Sequence, residues 1–187
     1  MTAFDPADVS PLDGLEPLTT ARVGALLRAS AGHIVSELTA LGDDWATGRP
    51  APGEWSANEC LGHIIEADRR GFAGRIERIL AQDGVAERGW DQIAVAAQRR
   101  DRDRSVATIL DEFRAGRNAG VALVERLVAE DLERFAVHDR VGTVTVCNLL
   151  HEWVFHDRNH IRQILANTQA RAWPAMGNAR RFSHPDR

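Results

Sequence analysis

LLHEWVFHDRNHIRQIL, residues 149–165, holds two histidines four residues apart, His156 and His160. On an α-helix four residues turn through about 400°, so both imidazoles project from one face, one turn apart. Leu149, Trp153 and Ile164 fall on the same stripe. That phase turns the histidine pair inwards, and an apolar stripe of this length needs partner helices to cover it.

Working outwards, this helix is expected from about Thr145 to Asn167, after a loop or hairpin-like turn over 130–144 that contains Gly142. A preceding helix is expected from Ser105 to about Ala129, with Ile109, Phe113, Val121 and Val124 at helical spacing and Gly116 and Gly120 weakening it slightly. Before it, 81–104 is a long connection ending in the charged run QRRDRDR, with a short helix around Gln92–Gln98. Ser56-Ala57-Asn58-Glu59 reads as a capping box that starts another helix, running to about Leu80. Trp55 and Cys60 take the hydrophobic-staple positions beside it. A first helix is expected from Thr20 to Leu41, joined by the Gly- and Pro-rich segment 42–55.

Four long amphipathic segments with no convincing strand define an all-α, four-helix bundle. The 187 residues suit one domain over 1–187, with an N-terminal arm at 1–16 and a C-terminal tail at 170–187 peripheral to it. The long connection between helices 2 and 3 lets the third helix run parallel to the second.

A formal net charge of −4 argues against nucleic acid as a partner, because no basic excess is there to neutralise phosphates. No apolar run approaches the roughly 20 residues of a membrane span. The first residues, MTAFDPADVSPLDG, contain no apolar core of a secretory leader. Cys60 and Cys147 lack Cys-x-x-Cys spacing and read as buried apolar residues of a cytoplasmic protein.

The histidine pair is half of a metal site. Chance gives roughly 0.26 such pairs in a chain with seven histidines, so the pair needs support. It comes from His63, on the inward stripe of the second helix near Cys60 and Ala67. Helices in a bundle pack about 8–10 Å apart, close enough for three imidazoles from two helices to meet on one ion. Buried imidazoles without a shared ligand would carry an uncompensated desolvation cost. The run is not a zincin motif, because His156-Asp157 lacks the required glutamate and His151-Glu152 is followed by Phe155 where a second histidine would stand.

Three imidazoles with no fourth protein ligand leave a position open for water or substrate. Zinc, nickel or iron fits, since imidazole selects poorly among them. Such an ion could activate water or hold a thiolate. Glu66 and Glu152 each lie one turn from a histidine and are candidates to orient a ligand. Asp157 reads as a surface or ligand-orienting group, and Trp55, Trp90 and Trp153 as core or staple residues. No general base is legible. The substrate is unknown.

The residues WSANECLGHIIEADRRGFAGRIERIL (55–80) and HDRVGTVTVCNLLHEWVFHDRNHIRQIL (138–165) resemble the DinB-like superfamily, in particular its DinB/YfiT-like metalloenzymes. The likeness covers about 20–167. It lies in a Trp-Ser-x-x-Glu helix entry, a histidine one turn inside that helix, a Gly-Thr-x-Thr lead into the last helix and a closing His-Asp-x-x-His-x-x-Gln-Ile. The resemblance implies up-down-down-up topology and a metal site whose ligands map onto His63, His156 and His160. It also implies a homodimer and, in some relatives, thiol-dependent transferase or isomerase activity with mycothiol or bacillithiol. Two functions follow as expectations. One is a metal-dependent hydrolase or low-molecular-weight-thiol transferase. The other is a non-enzymatic dimerisation or stress-response module that the ion merely stabilises.

Overall fold

The computed structural model describes residues 16–183. The expected N-terminal arm, apart from Glu16, and the last four residues of the tail lie outside the described residues.

Helix α1 (Thr20–Ala46) starts at Thr19, whose side chain accepts the Arg22 N–H. The helix is interrupted at Gly42, where φ is +67°, a conformation open to glycine. Helix α2 (Ala57–Glu66) opens with the expected capping box. Ser56 Oγ accepts from the Glu59 amide at 3.2 Å, and the Glu59 carboxylate accepts from the Ser56 amide at 2.9 Å. A π-helical turn (Ala67–Phe72) then carries the chain into α3 (Ala73–Ala81).

The long connection is structured. It holds β1 (Val85–Glu87), α4 (Gln92–Arg99) and a 3₁₀ turn (Asp101–Asp103). Helix α5 (Val106–Arg126) follows an N-cap at Ser105, and a short α6 (Ala129–Leu132) follows that. Strands β2 (Phe135–His138) and β3 (Gly142–Thr145) lead into α7 (Val146–Ala172), which is capped by Thr145. A 3₁₀ segment (Trp173–Ala179) and α8 (Arg180–Ser183) close the described chain.

The purely helical expectation is corrected by a three-stranded sheet in the order β1-β2-β3. β1 pairs parallel with β2, with Val85 opposite Ala136, and β2 pairs antiparallel with β3, with Phe135 opposite Thr145. Strands of three and four residues are too short to display alternation, so sequence periodicity could not reveal them. Ala136 anchors the sheet by inserting fully into the core.

The core divides into two apolar clusters. One gathers Leu27, Phe72, Ile76, Val124, Leu149 and Trp153, among others, at the end that carries the sheet. The second gathers Leu38, Cys60, Ile64, Ile109, Phe113 and Ile164, among others. Between them lies a layer of buried charge, with Arg117, Asp68 and Asp157 all nearly inaccessible to solvent. Leu18, just before α1, is tied down by His151, whose Nδ1 donates to the Cys147 carbonyl and whose Nε2 accepts the Leu18 amide at 2.9 Å.

Candidate metal centre

His63 stands on α2, whose phase is set by the Ser56–Glu59 box, and His156 and His160 stand one turn apart on α7. Their ligand-capable nitrogens all lie within 4.8 Å of one another. The Nε2 atoms of His63 and His156 are 3.0 Å apart. The His160 ring centroid is 4.5 Å from that of His63 and 4.3 Å from that of His156.

The surroundings keep these rings neutral. Burial lowers His63 to about 4, with the charge of His160 adding to the effect. Burial lowers His156 to about 2, helped by His160, His63 and Arg117. Burial also lowers His160, against opposing contributions from Gln163 and Asp157. A neutral imidazole has one lone pair to offer, which is the state a metal requires.

The donor set fits a divalent ion. One shared proton can satisfy the His63–His156 contact but leaves nothing for the third ring, whereas a cation at the convergence point satisfies all three. His160 is oriented for this role, because its Nδ1 donates to Gln163 Oε1 at 2.6 Å and so leaves Nε2 as the free nitrogen. The Nδ1 atoms of His63 and His156 are buried without a hydrogen-bond partner. Those two rings are held by packing instead. The Trp55 and Trp90 centroids lie 5.1 and 5.8 Å from His63, and Phe72 meets His156 edge-on at 5.2 Å.

The three histidines border a cleft of about 390 Å³ with Gly53, Glu54, Trp55, Gln92 and Gln163 on its walls. Its size suits a small molecule. Cys60 is no nucleophile here. Burial raises its thiol to about 12, and its Sγ lies 3.9 Å from Gln163 Oε1.

The other residues singled out in the sequence take varied places. Glu66 is buried and gripped by Arg69, Arg70 and Arg99. Burial works to raise its carboxyl, but the hydrogen bonds from Arg70 and Arg99 and the charge of Arg69 outweigh that and hold it low. Glu152 is exposed on α7. Asp157 is not a surface group: it is fully buried and ion-paired to Arg117, because its 100° rotation from His156 points it inwards at α5. Trp55 and Trp90 flank His63 rather than serving only as core or staple. Sequence reasoning missed Gln163, whose i, i+3 spacing from His160 was a usable signal. It also missed Glu54 on the cleft wall, which sits in a loop without periodicity.

The DinB superfamily profile matches residues 26–164, and the chain belongs to that superfamily. No curated protein matches the sequence. Among solved structures, the chain is similar to YfiT from Bacillus subtilis, reported as a probable metal-dependent hydrolase with an unusual four-helix bundle topology. The TM-score is 0.77 at 16% identity, over 88% of this chain and 94% of YfiT. It is also similar to a mycothiol-dependent maleylpyruvate isomerase, with a TM-score of 0.64 at 9% identity, over 79% of this chain and 61% of the isomerase. A conserved protein from Enterococcus faecalis gives a TM-score of 0.60 at 14% identity, over 82% of this chain and 97% of that one. At these identities the likeness concerns the fold. Among the described residues no helix is long and apolar enough to cross a membrane.

Proposed function

We propose that the protein is a metal-dependent enzyme, a hydrolase or a low-molecular-weight-thiol-dependent transferase or isomerase, with His63, His156 and His160 as its metal ligands. The observation that carries this reading is the convergence of three neutral imidazoles from two helices at the wall of an open cleft. Zinc, nickel or iron suits the all-nitrogen donor set. A divalent ion held there acts as a Lewis acid towards water or a thiol.

The chain's own residues supply the rest. Gln163 fixes the tautomer of His160. Trp55 and Trp90 pack against His63 and shield it from bulk water, and Trp55 also lines the cleft. Of the candidate acids, Glu54 is the one that lines the cleft, where it can accept a proton from an entering nucleophile. Glu66 and Glu152 act, in this reading, only through the helices that carry the ligands.

The frame is one domain with up-down-down-up helices, acting in the cytoplasm as a homodimer. Three contacts between helix ends support that path. The Val106 amide at the start of α5 donates to Asp43 near the end of α1 at 2.6 Å. Asn58 at the start of α2 donates to the Asp101 and Arg104 carbonyls just before α5. Asn167 near the end of α7 reaches the Trp55 carbonyl just before α2. α2 and α5 thus begin at the same end, where α1 and α7 finish.

The test is to load the purified chain with zinc, nickel or iron and screen ester and amide hydrolysis and thiol transfer from mycothiol or bacillithiol. Turnover that disappears with chelator supports the proposal. An ion that raises the melting temperature while no substrate turns over supports the non-enzymatic module.

A further inference from the structure

Arg117 on α5 is 1% exposed and faces two carboxylates. Its Nε and Nη2 donate to Asp68 at 2.9 and 3.1 Å, and its Nη1 and Nη2 donate to Asp157 at 2.5 and 2.9 Å. Trp153 Nε1 donates to the same Asp68 at 2.7 Å. The second cation nearby, Arg158, is spent on Ser30 and the Leu26 carbonyl. Burial, with the charge of Asp157 adding to it, raises the Asp68 carboxyl to about 6, so at neutral pH two carboxylates on one guanidinium leave a surplus of one negative charge in the apolar core.

A surplus charge in that place is costly, and an Arg–Asp pair or apolar residues would have filled the space at less expense. Its location suggests what offsets it. Asp157 directly follows His156. Asp68 follows Leu61 by seven residues and Ile64 by four, so it continues the inward stripe of α2 into the π-helical turn. Phe72 packs between Trp153 and His156, stacked on one at 5.2 Å and edge-on to the other at 5.2 Å, so protein rather than water fills the space towards the histidines. Screening through such a medium is weak.

We propose that the Asp68–Arg117–Asp157 triad is the built-in counter-charge of the three-histidine centre, and that its surplus negative charge favours a dication over an empty site. This rests on the reading of His63, His156 and His160 as metal ligands. Three neutral imidazoles bring no charge of their own, so a bound dication would otherwise stand uncompensated among them. Asp68 and Asp157 touch no ligand nitrogen and act through the field they create: the charge of Asp157 favours positive charge at His160, while that of Arg117 opposes it at His156.

The test measures zinc affinity by competition with a chromophoric chelator, together with the melting temperature of the metal-free protein. The variants are Asp157→Asn and Asp68→Asn, which keep shape and lose charge, and Arg117→Lys, which loses the fork and keeps the charge balance. In the wild type, failure to bind zinc at all would defeat the metal-site reading itself. Given wild-type binding, the Asn variants are expected to bind at least tenfold more weakly, and Arg117→Lys within about threefold of wild type, whatever each does to melting temperature. Wild-type affinity in the folded Asn variants, or a tenfold loss in Arg117→Lys, would overturn the proposal in favour of a purely structural triad. Should the Asn variants fail to fold, Arg117→Gln, which adds a further uncompensated negative charge, is expected to bind zinc more tightly than wild type, and equal or weaker binding would overturn the proposal.

Discussion

The Nε2 atoms of His63 and His156 stand 3.0 Å apart although 93 residues of chain separate them. Two capped helices bring them together. The Ser56 cap sets the phase of α2 and the Thr145 cap sets that of α7, so both inward stripes present a histidine at one level of the bundle. Burial then removes the charge from both rings.

The hydrogen bond from His160 to Gln163 gives a first prediction. Gln163→Leu removes the acceptor that fixes His160 for ligation through Nε2. Loss of an orienting partner of this kind typically weakens metal binding about 10- to 100-fold. Zinc titration of the variant should show a loss in that range with helicity unchanged; unaltered affinity would mean that Gln163 does not orient the ligand.

Two glycines on α5 should respond oppositely to the same substitution. A Cβ on Gly120 would lie 2.7 Å from the Trp153 ring, which is wedged against Phe72 and hydrogen-bonded to Asp68. Overpacking of this kind costs about 1–3 kcal/mol and outweighs the gain of about 0.5–1 kcal/mol from replacing a helical glycine. A Cβ on Gly116 meets nothing within 4 Å. Denaturant unfolding should show Gly120→Ala destabilised and Gly116→Ala stabilised by about 0.5–1 kcal/mol.

Acid should destabilise the metal-free protein earlier than its carboxylates alone would require. In the folded chain His63 and His156 stay neutral down to about 4 and about 2. In the unfolded chain they take up protons below about 6.5. The unfolded state therefore binds more protons, and stability falls as pH drops from about 6.5 through 4, with His156 extending the loss below that. Melting curves in chelator over pH 7 to 4 should decline by several degrees. The slope should be shallower in a His63→Phe, His156→Phe double variant. Equal slopes in the two proteins would count against neutral buried imidazoles.

The capping box, the phases of α2 and α7 and the trio His63, His156 and His160 could all be read from the sequence, because each depends on local spacing along a helix. What could not be read depends on contacts across the fold. The π-helical turn over Ala67–Phe72 breaks the 3.6-residue period, and no local rule announces it. Asp157 looked like a surface group until α5 placed Arg117 opposite it. Glu66 gave no sign of its three arginine partners, of which Arg99 comes from α4. The strands were too short to alternate. Gly120, which weakens a helix by propensity, proves to be the gap into which Trp153 fits.

The central claim is that three histidines from two helices hold one divalent ion. Elemental analysis of protein purified without chelator, followed by zinc titration, tests it most directly. The account predicts close to one divalent ion per chain, abolished by His63→Ala and by His156→Ala in variants that keep their helical content. No metal as purified and no uptake on titration would contradict it.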